Sequence, residues 1–545
     1  MKKTILLSFL IIFASFTFAQ EVKPVKNVIL MIPDGTSLGA YSAARWYKIY
    51  NKLGDGLNID PFISGTVSTF SSNAPIGDSA PTTSCYMTGV PSRAGWVSTY
   101  PVVDPENDLY PLDSTMTYQP LATILEASKI ENNKATGLVV TCQFPHATPA
   151  DCSSHSYTRS NYDAISSQMA YQNLDVMFGG GTKYLTDDIK DHFKNNNTVL
   201  LQDDREAMLN YNGNNPIWSL FGKDAFPFHL DRDSKEIPSL AEMTEKALEI
   251  LSKNEEGFFL MVEGSLVDWA AHANDPVGTI TELIAFDDAV GKVMDFAQKD
   301  GETAVVILSD HTTGGLTIGK RECKSGGGKM TLSELFGPVS KFTLTSSGIE
   351  EKLLNVKPEN MRAEFKKHTD IELTDKELDL LLSSKNYKEG DYTQVANSPS
   401  FRNNIISVMN DHMCFGFTTG SHSGEEVLLA AYHPDGHVPK GHLKNTEIND
   451  YLFKASGLKT PLSEVTQNIF AKHTDVFSGM NYSIEDKDGK FPVLVVKKKK
   501  TTLRIPASSS VGYLNGKPFD IGSVTVYVDK NDTFYLPKNM ADKLK

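Results

Sequence analysis

Phe258-Phe259-Leu260-Met261-Val262-Glu263-Gly264-Ser265-Leu266-Val267-Asp268-Trp269-Ala270-Ala271-His272 sets an unbroken apolar run before a Glu-Gly-Ser turn and a helical stretch. A short apolar run bounded by turn residues reads as a strand buried on both faces, as in a parallel sheet. Runs of the same kind occupy residues 28–32, 137–141, 175–178 and 304–308, and helical stretches such as 121–129 and 240–253 lie between some of them. This alternation predicts an α/β fold, a three-layer α/β/α sandwich around a mainly parallel central sheet. In such sheets ligands bind beyond the carboxyl ends of the strands. Asp34, Glu263, Asp310 and His311 closely follow three of the runs, so a shared sheet would gather them at one edge.

The rest of the 545 residues divide by pattern. Lys2 and Lys3, the apolar residues 5–16 and then Thr17-Phe18-Ala19 have the form of a signal peptide cleaved before Gln20, which predicts a periplasmic or secreted protein. No other segment approaches the length of a membrane span. Residues 20–478 form the expected catalytic domain, interrupted at about 326–400 by charged, amphipathic segments that predict an inserted helical cap. Thr374-Asp375-Lys376-Glu377 within it has the form of a helix capping box. Residues 479–545 turn to alternating runs with Asn515-Gly516 as a hairpin turn, predicting a small C-terminal β-domain. There, Lys497 to Lys500 reads as a strand edge guarded by charge.

The formal charge is −14, and −16 without Lys2 and Lys3, which argues against a nucleic-acid partner. An anionic substrate would then need a locally positive site, and bound metals would supply one. The five cysteines lack CxxC spacing, which disfavours structural zinc on thiolates. An exported chain admits one or two disulfides, and the pairing taken here is Cys142 with Cys152.

Asp268 and His272, four apart, share a helix face and can chelate zinc. Asp310 and His311 end a strand together, Asp34-Gly35 follows another, and His422 lies in a Gly/Ser loop. Each alone has a plain alternative: a hydrogen-bonded surface pair, a helix cap, a solvated loop histidine. Together they suggest a multi-metal site. Ser79, between Asp78 and Ala80-Pro81-Thr82, stands where a helix can begin and point its N–H groups at an anion. A serine hydroxyl needs a base or a metal to attack. No base lies near it in sequence, so activation by metal fits better than a Ser-His-Asp triad.

The segments MIPDG (31–35), DSAPTTSCYMTG (78–89), HATPAD (146–151) with Arg159 downstream, DVMFGGGTKY (175–184), VEGSLVDWAAH (262–272), LSDH (308–311) and GSHSGEEV (420–427) resemble, in order, those of the alkaline phosphatase family. The resemblance spans roughly residues 28–470. It implies one zinc held by Asp268, His272 and His422, and a second held by Asp34, Asp310 and His311 beside the nucleophile Ser79. It implies a magnesium on Asp34, Thr148 and Glu263, with Arg159 gripping the phosphate and Asp78 orienting Arg159. It implies two in-line displacements through a phosphoserine, and often a homodimer. Where some relatives carry an acidic residue and a lysine, this chain has His146 and Trp269. His146 reads as a group that holds a metal-bound water beside the third metal or becomes its ligand, and the identity of that metal is open among zinc, cobalt and magnesium.

The expected activity is hydrolysis of small-molecule phosphate monoesters. Phosphodiesterase or another phospho-transfer activity of the same superfamily is the alternative. A sulfatase is disfavoured because Gly89 stands where the convertible Cys or Ser would precede Pro91-Ser92-Arg93. A binding protein without turnover is disfavoured by the complete nucleophile and ligand set.

Overall fold

The computed structural model describes residues 22–385 and 400–545. The signal-peptide reading at residues 1–19 and part of the inserted region, 386–399, lie outside the described residues. Ten strands build the central sheet in the order Gly441–Lys444, Ile63–Ser68, Val427–Tyr432, Thr303–Leu308, Asn27–Pro33, Phe258–Gly264, Ala135–Gln143, Val176–Gly180, Ile217–Phe221, Val199–Gln202. All run parallel except Val427–Tyr432, which opposes both of its neighbours.

The central strands are apolar throughout because both of their faces are covered. Along Asn27–Pro33, Ile29 and Met31 enter one apolar cluster while Val28, Leu30 and Ile32 enter another. Helices Leu38–Tyr50, Leu240–Leu251 and Pro276–Asp300 pack on the first face. Helices Ser79–Thr88, Ile124–Asn132, Ala147–Ser153 and Asn445–Ala455 pack on the second. The result is the three-layer sandwich expected from the alternation. Ile124–Asn132 begins later than the apolar pattern suggested, because Thr123 and Glu126 close a capping box there.

Register fixes where the chemistry gathers. Ile32 pairs with Glu263, and Val140 pairs with Glu263 from the other side. Strand Thr303–Leu308 pairs with the same central strand, Met31 opposite Ile307. The residues just past these pairs, Asp34, Cys142 and Asp310, therefore leave the sheet at one edge.

Helices Leu332–Phe336, Ser346–Leu353, Met361–Thr369, Asp375–Ser384 and Phe401–Asp411 occupy the inserted region. They do not stand apart. Phe336, Ile349, Phe365, Leu381 and Phe401 join the cluster on the first face of the sheet. The Thr374 capping box forms: Glu377 N donates to Thr374 Oγ1 at 3.3 Å, and Thr374 N donates to the Glu377 carboxylate at 2.7 Å.

At the C-terminus, Asn481–Glu485, Val493–Lys498, Thr501–Pro506, Val511–Leu514 and Lys517–Asp520 make a five-stranded meander. Asn515 and Gly516 turn its last hairpin with φ of 49° and 81°, as a type I′ turn requires. Val493–Lys498 is paired on both sides, so Lys497 and Lys498 do not guard an edge; the basic run ends a central strand and forms the following turn.

Cysteine pairing differs from expectation. Cys323 and Cys414 form the disulfide, closing the base of the inserted region across a sequence separation of 91. Cys142 and Cys152 are free. Cys152 lies in a helix and turns its thiol back to the Thr148 carbonyl, 3.6 Å away, whereas the Cys142 thiol donates to Glu263 Oε2. Non-reducing peptide mapping should recover a Cys323–Cys414 link and none between Cys142 and Cys152. Cys323→Ser should lower the unfolding free energy by about 4 kcal/mol through the long loop it releases.

Candidate active site

The sheet edge delivers Asp34, Glu263, Asp310 and His311 to one buried volume, as the sequence suggested, each without solvent exposure. Gly35 turns the chain after Asp34 with φ +64°, and a Cβ there would meet Asp268 Oδ1 at 2.4 Å, so only glycine lets the loop and helix approach. Gly35 N donates to Asp310 Oδ1 at 3.1 Å. Helix Leu266–His272 places Asp268 and His272 on its inner face, Asp268 Oδ2 standing 3.5 Å from His272 Nε2. A two-residue ladder pairs His422 with Thr313 and brings the loop histidine beside His311, ring centroids 4.0 Å apart.

Ser79 opens helix Ser79–Thr88, and its Oγ lies 3.2 Å from His311 Nε2. The same nitrogen stands 3.4 Å from Asp34 Oδ1 and 3.3 Å from Asp310 Oδ2. A proton relay would place the carboxylate on the opposite ring nitrogen. Here two carboxylates, an imidazole and the serine converge on one point instead, the geometry of ligands around an ion. Asp34 Oδ1 and Oδ2, Asp310 Oδ2, Glu263 Oε1 and Thr148 Oγ1 are buried with no hydrogen-bond partner among the described residues. Buried anionic oxygens without donors call for a cation.

The histidines are set for the same task. His272 Nδ1 donates to the Gly420 carbonyl and His422 Nδ1 to the Gly77 carbonyl, each at 2.8 Å. Both keep an Nε2 lone pair, the tautomer that a metal takes. Thr313 Oγ1 donates to Asp268 Oδ1 at 2.6 Å and fixes that carboxylate. Sequence reasoning did not single out Thr313 and took Cys142 for a disulfide partner; only the pairing of distant strands shows their place.

Electrostatics follow from burial among like charges. Burial, then Asp310, Asp268 and Glu263, raises the Asp34 carboxyl far above its usual range. Burial and Asp310 push Glu263 up to about 8. Burial also works to raise Asp268, but His272, His311 and His422 hold it below the usual range. Burial and neighbouring His311 push His422 down to about 3.

Opposite the carboxylates stands the guanidinium of Arg159. Burial would raise Asp78, but Arg159, His422 and His311 hold it low. Its carboxylate pairs with Arg159 Nη1 and accepts from Gly95 N at 3.0 Å, leaving the first turn of the Ser79 helix uncapped by its own side chain. Arg159 Nη2 donates to His146 Nε2 at 3.1 Å, so the His146 hydrogen sits on Nδ1, which is buried and has no partner among the described residues. Burial, with Arg159 beside it, holds His146 at about 3, neutral. Trp269 lies edge-on to His146 at 5.8 Å. A cavity of about 380 Å³ is lined by Ser79, Arg159, His146, Trp269, His272 and His422 among others.

A sequence profile of the alkaline phosphatase family matches residues 25–458. Alkaline phosphatase 3 of Bacillus subtilis (strain 168) is 33% identical over 465 residues, which cover 80% of this chain and 91% of that protein. The cold-active alkaline phosphatase of a psychrophilic Shewanella sp. superposes with a TM-score of 0.68 at 25% identity, covering 80% of this chain and 100% of that one. A TAB5 alkaline phosphatase variant with Mg bound in its M3 site superposes with a TM-score of 0.55 at 25% identity, covering 81% and 100%. The chain belongs to the alkaline phosphatase family, whose members are phosphomonoester hydrolases.

Two outcomes follow from this geometry. Thr313→Ala should weaken divalent-metal binding by roughly 10- to 100-fold in a chelator competition, because Asp268 loses the donor that orients it. In the metal-free protein Glu263 should contribute a loss of stability as pH rises from about 5 to 8, opposed below about 6.5 by His146 and His422, which burial keeps neutral. Glu263 has a folded pKa of about 8 against roughly 4.3 unfolded, so in that window the folded state holds a proton that the unfolded state lacks. The slope from this group is about 1.4 kcal/mol per pH unit. The fall should appear as the difference between thermal melts of chelated wild-type protein and chelated Glu263→Gln across that range.

Proposed function

We propose that the protein is an exported alkaline phosphatase that cleaves small-molecule phosphate monoesters through a phosphoserine at Ser79. The observation that carries this reading is Ser79 Oγ at 3.2 Å from His311 Nε2, within a ring of partnerless carboxylate oxygens and across a cavity from Arg159. Asp268, His272 and His422 would hold one zinc, and Asp34, Asp310 and His311 a second. Asp34, Thr148 and Glu263 would hold a third ion, magnesium or another divalent metal. The donor sets fit: carboxylate and imidazole for zinc, carboxylate and hydroxyl oxygens for a divalent third ion. Bound there, the ions would supply positive charge and lower the pKa of oxygens in contact with them.

The chain's own groups do the rest. Arg159 binds two non-bridging phosphate oxygens with its planar fork, held in register by Asp78. The N–H groups at the start of the Ser79 helix face the same anion and favour its negative charge. Ser79 Oγ attacks phosphorus in line, forming the oxygen–phosphorus bond as the bond to the leaving oxygen breaks; the serine proton leaves to water, and the departing alkoxide takes a proton from water to become the alcohol. Water then attacks the phosphoserine from the side the leaving group vacated, releasing inorganic phosphate and restoring the hydroxyl. The Nδ1–H of neutral His146 holds water beside the third ion. Arg159 with the ions around it neutralises a dianionic monoester, which favours monoesters over diesters.

Export is supported by the basic start, apolar residues 5–16 and small residues before Gln20. Among the described residues no helix is long and apolar enough to cross a membrane.

Purified protein should hydrolyse p-nitrophenyl phosphate, lose that activity on chelation and regain it with zinc plus magnesium. Ser79→Ala, metallated and folded, should fall by at least roughly 1,000-fold in kcat. Undiminished activity in that variant would overturn the nucleophile. A higher kcat/KM for bis-p-nitrophenyl phosphate than for the monoester would move the assignment to a phosphodiesterase.

A further inference from the structure

We propose that the third ion site takes a soft divalent metal, zinc or cobalt, through the thiolate of Cys142, and that this sulfur disfavours magnesium there. The inference rests on the metal-dependent reading above and deepens it.

Cys142 lies near the carboxyl end of strand Ala135–Gln143, two residues past Val140, which pairs with Glu263. Its Sγ stands 3.6 Å from Glu263 Oε2. The ligand atoms of Cys142, His146 and Glu263 all fall within 4.8 Å of one another, and all three residues are buried. Glu263 Oε1, Thr148 Oγ1 and both Asp34 carboxylate oxygens are buried without a hydrogen-bond partner among the described residues, so the sulfur joins a set of donors that already calls for a cation.

His146 does not compete for the role. Arg159 takes its Nε2 lone pair, and its Nδ1 carries hydrogen, so the ring offers the site a donor. With His146 set aside, the sulfur and Glu263 are the pair that the geometry brings together, and Glu263 shares the proposed third ion with the Asp34 and Thr148 oxygens. Magnesium demands oxygen ligands in near-octahedral array. A thiolate selects zinc, and cobalt behaves similarly in mixed sulfur and oxygen sites. On binding, the S–H bond is replaced by a sulfur–metal bond: sulfur keeps the electron pair and the proton leaves to water.

The other sulfurs are engaged elsewhere. Cys85 donates to the Phe70 carbonyl, Cys152 to the Thr148 carbonyl, and Cys323 and Cys414 are joined to each other. The ligand sets of the other two ions contain no cysteine. Any sulfur–metal signal therefore reports Cys142.

The test uses the whole protein stripped of metal. Reconstituted with cobalt, it should show a near-ultraviolet sulfur-to-cobalt charge-transfer band that Cys152→Ser keeps and Cys142→Ser abolishes. Dialysed against zinc and magnesium together and counted by mass spectrometry, it should hold at least about tenfold less magnesium than Cys142→Ser. Wild-type protein with a full complement of magnesium at the third position, or without the cobalt band, overturns the proposal. That wild-type arm decides the matter even if the variant fails to fold. Magnesium-filled protein that hydrolyses monoesters would sink the thiolate ligand and leave the phosphatase reading standing. A cobalt–sulfur band in protein without hydrolysis would do the reverse.

Discussion

Like-charged oxygens packed out of water are the constraint around which this molecule is built. Asp34, Glu263 and Asp310 leave adjacent parallel strands at one edge, fully buried, and Asp268 joins them from a helix. In a medium of low dielectric such a group cannot hold several negative charges unless cations stand among them. Much of the nearby structure reads as provision for those cations. Gly35 removes a side chain so that Asp268 can approach, and two backbone carbonyls fix the tautomers of His272 and His422. The parallel sheet supplies the rigidity, since its central strands are clamped between two apolar layers.

The Arg159 half of the site is held from farther away. Arg159 N donates to the Gly95 carbonyl, and Gly95 N donates to Asp78, so one loop steadies both members of the Arg159–Asp78 pair. That loop is in turn fixed by Val97 and Ser156, which exchange backbone hydrogen bonds, and by Trp96 stacked on Tyr118. Tyr157, two residues before Arg159, donates its hydroxyl to Asp529 at 2.6 Å. The C-terminal β-region thus touches the segment that carries Arg159.

The sequence disclosed what burial and short spacing make visible. Strands such as Phe258–Gly264 were legible because both faces are covered and every residue is apolar until the turn. Ile63–Ser68 was not, since its ISGTVS carries small and polar residues on a half-exposed strand. Asp268 and His272 were legible as a pair four apart, while Ser79 beside His311 depends on a fold that spans 232 residues. No local spacing pairs Cys323 with Cys414, and the nearer Cys142 and Cys152 point to different neighbours. Thr313 reaches Asp268 only because a two-residue ladder crosses from another part of the chain. The ordered motifs supplied the ligand assignments that composition and periodicity left open.

Strand Val427–Tyr432 is the one that runs against the sheet, and it lies between Ile63–Ser68 and Thr303–Leu308, both made earlier in the chain. Its arrival joins two parts of the sheet that cannot pair without it. His422 stands five residues before it, so the same event delivers the last histidine to the site. Pairings of such long range form late in folding. A ribosome must therefore release the first 422 of 545 residues before the last histidine can join the site, and a chain stopped short of it carries the buried carboxylates with one imidazole fewer among them.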